Sequence, residues 1–167
     1  MSLARPDLEE APVRSPAEAV PHDLIELLFF AYRDFVGDPD RILADYGFGR
    51  AHHRVLHFVQ RRPGLTIAEL LDILQITKQS LNRVLKELVE KGYIEQRTGR
   101  LDKRQRHLHT TAAGQDLALR LVRLQAERIN RALASVGPEA AATAARYLSA
   151  LIDPSERPKV ERLLDGS

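Results

Sequence analysis

The feature that most constrains the fold is the order of short elements in residues 66–110. Thr66 and Glu69 have the spacing of a capping box, in which each side chain bonds the other residue's backbone N–H, so a short helix is predicted to begin there. This helix is expected to end near Leu74. After three linking residues, apolar positions at helical spacing predict a longer helix up to Lys91, followed by a glycine that ends it. Two helices joined by so tight a turn predict a helix-turn-helix.

A basic hairpin is predicted directly after the second helix. Strand-forming residues occupy positions 93–97 and 106–110, and the polar stretch between them bends at Gly99. A helix-turn-helix followed by such a hairpin, or wing, is the order of a winged helix-turn-helix. The expected fold class is therefore mainly α with a small β-hairpin wing, flanked by N-terminal and C-terminal helices.

The N-terminal part of the chain is interpreted as a leader and two helices. Four prolines predict that residues 1–21 form a mobile leader. The apolar residues that follow cover most of a helix circumference, which predicts a helix buried on more than one side and ending near Gly37. Asp38 before Pro39 is typical of a helix start, so a second short helix is expected over residues 40–46.

Further helices are predicted over residues 50–60, 112–133, 139–151 and 155–164. The long helix at 112–133 carries two adjacent apolar stripes. One stripe would suffice for a core within the chain, so two stripes indicate an additional partner.

Composition excludes several classes of protein. The 167 residues include no cysteine, which removes disulfides, thiolate nucleophiles and cysteine metal sites. No apolar run approaches the roughly 18 residues that a membrane span needs, so a cytoplasmic protein without a membrane partner is expected. The formal net charge is only +2, yet residues 77–110 carry nine lysine or arginine residues against four acids. This concentration of positive charge favours an anionic partner such as nucleic acid.

The second helix of the predicted helix-turn-helix has a polar face of the kind that contacts DNA. Gln79, Asn82 and Arg83 can bond base edges, whereas Lys78 and Lys86 are suited to phosphates as point charges. The full set predicted to contact DNA from this helix is Thr77, Lys78, Gln79, Ser80, Asn82, Arg83 and Lys86. The alternative interpretation is an ordinary solvated helix face.

The sequence also resembles the multiple-antibiotic-resistance regulator (MarR) family. The resemblance is specific over residues 66–114 and rests on Arg83, the run from Glu87 to Glu95, and an Asp-x-Arg wing tip at Asp102 and Arg104. After the wing, Leu108, Thr111 and Gly114 match the family pattern, while Thr110 stands where leucine is usual.

The resemblance implies a homodimer that binds a pseudo-palindromic duplex, with two recognition helices about one DNA turn, or 34 Å, apart. It implies that Arg104, oriented by Asp102, enters the minor groove. An exposed ion pair between these two side chains is the alternative. Arg97, Lys103 and Arg106 are interpreted as phosphate contacts. The implied organisation is a leader at 1–21, N-terminal dimerisation helices at 22–49, a winged helix-turn-helix at 50–111, and C-terminal dimerisation helices at 112–167.

An effector site is a further expectation. Family members often bind small aromatic or anionic molecules, and the aromatic residues between positions 29 and 58 could line such a pocket. The candidate residues are Phe29, Tyr32, Phe48, His53 and Phe58. The alternative is that these rings form core at a helix junction. His53 and His57 are four residues apart, beside His52, but further metal ligands are not evident, so no metal or cofactor is expected.

The sequence therefore favours a homodimeric, sequence-specific transcriptional regulator, and more specifically a repressor released by a small molecule. The runner-up is a winged-helix module that binds RNA or a protein. An enzyme ranks third, because no phosphate-binding loop, nucleophile elbow or metalloprotease motif is present.

Overall fold

The computed structural model describes residues 21–99 and 103–165. Within these ranges the elements are α1 (His22–Asp45), α2 (Arg50–Arg61), β1 (Leu65–Thr66), α3 (Ile67–Leu74), α4 (Lys78–Glu90), β2 (Ile94–Thr98), β3 (Arg106–Thr110), α5 (Ala112–Val136), α6 (Ala140–Leu151) and α7 (Arg157–Asp165). A mainly helical fold with a small antiparallel sheet was expected, and it is confirmed. The predicted leader, apart from Pro21, lies outside the described residues.

Helix α1 corrects the prediction of two helices that meet near Gly37. It continues through Pro39 without interruption. Val36, Pro39 and Leu43 are spaced at three and four residues and are all buried, so the proline ring belongs to a helical core stripe. Asp38 does not act as a cap, because its carboxylate binds Arg128 of α5, with Nη2 and Oδ2 2.7 Å apart. These tertiary contacts offset the backbone hydrogen bond that proline cannot donate.

The wing is a three-stranded sheet in the order β1-β3-β2, rather than the two-stranded hairpin that was predicted. Strand β2 pairs with β3 in regular register, from Ile94 opposite Thr110 to Thr98 opposite Arg106. The added strand β1 pairs Leu65 with Leu108. It was missed because two residues are too few to show an alternating pattern.

The buried core lies between α2, α4, the sheet and the first half of α5. Members that are 2% exposed or less come from each of these elements and include Val55, Leu56, Val59, Leu81, Leu85, Leu88, Ile94, Leu108 and Leu121. Leu43 of α1 and Leu70 of α3 belong to the same cluster, as do Phe48, Val84, Leu117 and Ala118. The helix-turn-helix and the wing therefore share one core, which fixes their relative position.

The chain divides into two compact units, Met1–Arg33 and Asp34–Ser167. In the first unit the described residues, 21–33, form the beginning of α1, and all of them are exposed. This differs from the expectation of a helix buried on more than one side. Helix α6 of the second unit also has no buried residue. Apolar faces of both helices are therefore exposed among the described residues.

Candidate nucleic-acid interface

The turn between α3 and α4 is built as the capping pattern predicts. Thr66 caps α3 by accepting a hydrogen bond from the Glu69 N–H, and the Glu69 carboxylate accepts one from the Thr66 N–H at 2.8 Å. Gln75 ends α3 in the left-handed conformation, with φ of 50°. Thr77 then caps α4 through its hydroxyl oxygen, which accepts the Ser80 N–H at 3.1 Å. Three residues thus separate the two helices, and both helix ends have satisfied backbone groups.

Helix α4 presents the predicted polar face to solvent. Leu81, Val84, Leu85 and Leu88 are buried on the opposite side. The exposed residues on the polar face and at its start are Thr77, Lys78, Gln79, Asn82, Arg83 and Lys86. Ser80 differs from them, because it is half-buried and its hydroxyl bonds Thr77 at 2.9 Å. Ser80 therefore belongs to the structure of the cap.

Few of these side chains are neutralised within the protein. Lys86 Nζ lies 3.8 Å from Glu90 Oε1, one helical turn away. Within residues 21–99 and 103–165, Lys78 and Arg83 make no ion pair with a carboxylate. Their charge is therefore directed at solvent, over the half of α4 that includes its N-terminus.

The wing extends this positive surface. Arg97, Lys103, Arg104 and Arg106 are all exposed. Arg97 forms a close ion pair with Glu95 on the same strand, and its Nε donates to Glu95 Oε1 at 2.8 Å. Arg106 donates to the Thr98 hydroxyl at 2.5 Å. The predicted orienting partner of Arg104, Asp102, lies outside the described residues.

Two histidines of β3 lie beside these wing residues. His107 is opposite Arg97 and His109 is opposite Glu95 in the ladder. His107 Nδ1 also makes a 2.8 Å hydrogen bond to the Gly64 carbonyl, which fastens the sheet to the loop after α2. Burial and the neighbouring Arg97 lower the pKa of His109.

The base of the wing is locked to α5 by a close backbone approach. Thr111 caps α5 by accepting the Gly114 N–H at 3.1 Å, and its hydroxyl donates to the Gly92 carbonyl at 2.6 Å. A Cβ on Gly114 would lie 1.9 Å from the Tyr93 carbonyl oxygen. The match of Thr111 and Gly114 to the family pattern thus has a physical cause, which is that a side chain at position 114 would collide with the start of the wing.

Sequence reasoning missed the contacts that tie α4 to the rest of the protein. His52 Nδ1 accepts the Gly49 N–H at 3.1 Å, and its Nε2 bonds Glu87 at 2.8 Å. Lys91 donates to the Tyr46 carbonyl at 2.7 Å. The pair His52–Glu87 is 35 residues apart in the chain, and the pair Tyr46–Lys91 is 45 residues apart. No local spacing in the sequence signals these two long-range contacts.

The candidate effector residues have different surroundings. Phe48 is buried, stacks on His52 at 4.6 Å between ring centroids, and meets Tyr93 edge-on at 5.3 Å. His53 is also buried, which lowers its pKa. Phe58 is half-buried and lines a cleft beside α7.

The other two candidates, Phe29 and Tyr32, lie in the unit Met1–Arg33. They are exposed there, by 70% and 45%. The described ranges of the chain place no three histidine or acidic side chains where they could share a metal ion. They also contain no helix with the length and apolarity of a membrane crossing.

The chain is similar to known proteins over most of its length. A family model described as MarR family matches residues 46–105. The HTH-type transcriptional regulator PetP of Rhodobacter capsulatus is 49% identical over 142 residues, which are 85% of this chain and 86% of PetP.

Solved structures share the fold. FabT of Streptococcus pneumoniae, crystallised in complex with DNA, matches with a TM-score of 0.70 and 20% identity, over 78% of this chain and 93% of FabT. A MarR protein from Peptoclostridium difficile matches with a TM-score of 0.67 and 14% identity, over 83% and 90% of the two chains. These likenesses confirm the winged-helix architecture.

Proposed function

This chain belongs to the MarR family of transcriptional regulators, and from that premise we propose that it acts as a homodimeric, sequence-specific DNA-binding repressor. The observation that carries the proposal is the exposed polar face of α4 beside an exposed cationic wing, both mounted on one buried core. An α-helix with this face fits the major groove of B-DNA, about 12 Å wide. The wing then lies over the neighbouring backbone.

Each exposed side chain has a role set by its chemistry. Arg83, Asn82 and Gln79 bond base edges, because their paired donors and acceptors match guanine and adenine. Lys78, Lys86, Arg97, Lys103 and Arg106 contact phosphates, and Arg104 enters the minor groove with Asp102 as its orienting partner. Thr77 and Ser80 hold the N-terminus of α4 in place beside the DNA.

Arg97 must exchange partners when DNA binds. In the free chain it is paired with Glu95, and both side chains are well exposed. An exposed pair of this kind contributes only about 0 to 1 kcal/mol, so a phosphate can displace the carboxylate at low cost. Glu95 thereby lowers the affinity of Arg97 for any phosphate without preventing binding.

A second copy of the chain covers the apolar faces that this chain leaves exposed. Residues 22–49 and 112–167 supply the dimerisation helices, and residues 50–111 form the DNA-binding part. The exposed apolar side chains in these helices support this: Leu24, Ile25, Leu27, Leu28, Phe29, Phe30, Ile129, Tyr147, Leu148 and Leu151. A twofold dimer places two copies of α4 about one DNA turn, or 34 Å, apart, which requires a pseudo-palindromic site.

The repressor acts in the cytoplasm by occupying its operator and is released when a small aromatic or anionic effector binds. We assign it no catalytic role and no cofactor. Release requires that the effector bind more tightly to a conformation unsuited to the operator.

Selection of genomic fragments by the purified chain, followed by sequencing, tests the proposal. The expected result is a two-fold-symmetric site whose affinity falls steeply as salt rises, because bound lysines and arginines displace counterions. Arg83→Ala should cost about 1 to 3 kcal/mol and relax the preference at one base pair. Arg104→Ala should lower affinity, and Arg54→Ala, which changes an exposed arginine on α2, serves as the matched control.

Equal binding to all duplexes at low salt would contradict the proposal. Preferential selection of RNA, or of no nucleic acid, would identify the chain as a winged-helix module of another kind. Unchanged operator binding by Arg104→Ala in 150 mM salt would remove the minor-groove role alone.

A further inference from the structure

Glu87 of α4 stands between two cations, each four residues away along the chain. Arg83 precedes it and Lys91 follows it, and residues four apart are neighbours on a helix surface. The Glu87 carboxylate nevertheless binds His52 of α2, with Nε2 and Oε2 2.8 Å apart. Among residues 21–99 and 103–165, neither Arg83 nor Lys91 pairs with a carboxylate. The acid one helical turn from Arg83 is therefore held by a different helix.

The His52 ring is oriented to hold that carboxylate. Its Nδ1 accepts the Gly49 N–H at 3.1 Å, so the proton of the neutral ring is on Nε2 and faces Glu87. Phe48 stacks on the ring at 4.6 Å between centroids, and His52 is only 9% exposed, so the ring has little freedom to rotate. A donor fixed in this way binds a carboxylate without the entropic cost of ordering a mobile side chain.

Lys91, the other cation beside Glu87, has contacts of its own. Its Nζ donates to the Tyr46 carbonyl at 2.7 Å and lies 4.7 Å from the centroid of the Phe48 ring. These contacts hold the ammonium group against the loop before α2. Arg83 is exposed, and its guanidinium is therefore the group that a Glu87 carboxylate released from His52 would bind.

We propose that His52 is a positioning residue for DNA recognition, which holds the Glu87 carboxylate away from Arg83 and so keeps the Arg83 guanidinium available to a base. The inference rests on the proposed function, in which α4 lies in the major groove. A carboxylate bound to Arg83 would neutralise its charge and occupy the paired N–H donors that guanine requires. A dimer contains the contact twice, so its loss acts on both half-sites.

Two conservative substitutions separate the two hydrogen bonds of the His52 ring. His52→Asn keeps an oxygen near the position of Nδ1 to accept the Gly49 N–H but is too short to reach Glu87, whereas His52→Gln keeps an amide N–H near the position of Nε2. The measured quantity is the ratio of the Kd for a scrambled duplex to the Kd for the selected operator. At one salt concentration this ratio cancels the general effect of protein charge on DNA binding.

His52→Asn should lower the ratio about twofold to fivefold, which is the strength of ion pairs four residues apart on a helix, counted once per subunit of a dimer. His52→Gln should leave the ratio unchanged. His57→Asn, which changes a half-buried histidine of the same helix, is the matched control and should also leave it unchanged. An unchanged ratio in His52→Asn, or an equal loss in His52→Gln, would overturn the proposal. Thermal denaturation verifies that each variant is folded.

Removal of the Glu87 carboxylate distinguishes this role from simple anchoring of α4. Glu87→Ala alone should keep the ratio of the unsubstituted chain, and its addition to His52→Asn should restore that ratio. If Glu87→Ala lowered the ratio as much as His52→Asn does, the contact would act by anchoring the helix, and the proposal would be wrong.

A measurement without DNA separates the proposal from the repressor proposal. The solvent-exchange rate of the Arg83 Nε proton, followed by NMR in the full chain, should be equal in the unsubstituted chain and in Glu87→Ala, and should fall in His52→Asn. Slower exchange in the unsubstituted chain than in Glu87→Ala would overturn the proposal, and this comparison decides even if His52→Asn does not fold. Equal rates in all three would also overturn it. The expected rates in a chain that selects no DNA would leave the role of His52 at Glu87 assigned and the repressor proposal refuted.

Discussion

The winged part of the chain and the helices that flank it differ in how their apolar residues are covered. In residues 50–111 the core side chains are almost fully buried within the chain, as at Leu56 and Leu81. In the flanking helices large apolar groups remain exposed, with Phe29 at 70% and Leu148 at 55%. The first region is folded by its own core, whereas the described residues of the second leave much of its apolar surface exposed. In the proposed homodimer, a second copy of the chain covers this exposed surface.

The largest effect is expected at the junction of the wing and α5. Gly114→Ala places a Cβ 1.9 Å from the Tyr93 carbonyl oxygen, so the helix start and the wing must separate. The free energy of unfolding should fall by about 3 kcal/mol, the upper part of the range for overpacking. Chemical denaturation measures it.

Gly37→Ala is the matched control for this substitution. Among the described side chains, its new Cβ comes near the end of the flexible Arg41 side chain, 3.8 Å from Nη1. It should be neutral or stabilise the helix by about 0.5 to 1 kcal/mol. If Gly114→Ala and Gly37→Ala changed the free energy of unfolding equally, the contact between Tyr93 and Gly114 would not constrain the winged part.

A smaller effect is expected in the flanking helices, and it concerns association. Phe29→Ser removes an exposed ring whose burial by a partner would contribute about 1.5 kcal/mol per subunit. The dimer dissociation constant, measured by sedimentation equilibrium, should rise at least tenfold, while the circular dichroism of the chain stays unchanged. Asp23→Asn, in the first turn of α1, is the polar control. If Phe29→Ser unfolded the chain instead of dissociating the dimer, the contrast between the winged part and the flanking helices would be contradicted.

The smallest effect is a dependence of stability on pH. Burial lowers the pKa of His53 below 6.5, so the unfolded chain binds a proton at this residue more readily than the folded chain does. The contribution of neutral His53 to the free energy of unfolding is fully present above pH 6.5. It is lost as the pH falls from 6.5 towards the pKa of His53 in the folded chain. His53→Gln should flatten the fall in melting temperature between pH 7 and pH 5.

The wing provides a control for this measurement. His109 also has a lowered pKa, but it is the less buried of the two residues, so His109→Gln should change the slope less. A larger change from His109→Gln would place the pH sensitivity in the wing.

The same contrast explains which features could be predicted from sequence. Caps and apolar spacing are local, and they located α3, α4 and α5 to within a few residues, with Thr66, Thr77 and Thr111 as the caps. The polar face of α4 could be predicted because it lies opposite the stripe of apolar residues that is buried. These signals worked because the winged part buries its own residues.

The predictions failed where a distant contact overrides a local preference. Pro39 was expected to start a helix, but Asp38 binds Arg128, 90 residues away, and the helix continues. The link between His52 and Glu87 and the two-residue strand β1 have no local signature either. Burial on more than one side was predicted for the first turns of α1, but the described residues 21–33 are exposed.

Sedimentation velocity of the full chain with its selected duplex, at several salt concentrations, tests the central claim most directly. The account predicts that two copies of the chain bind one symmetric duplex and that the complex dissociates as salt rises. One copy per duplex, or the same affinity for a scrambled duplex of equal length, would contradict it.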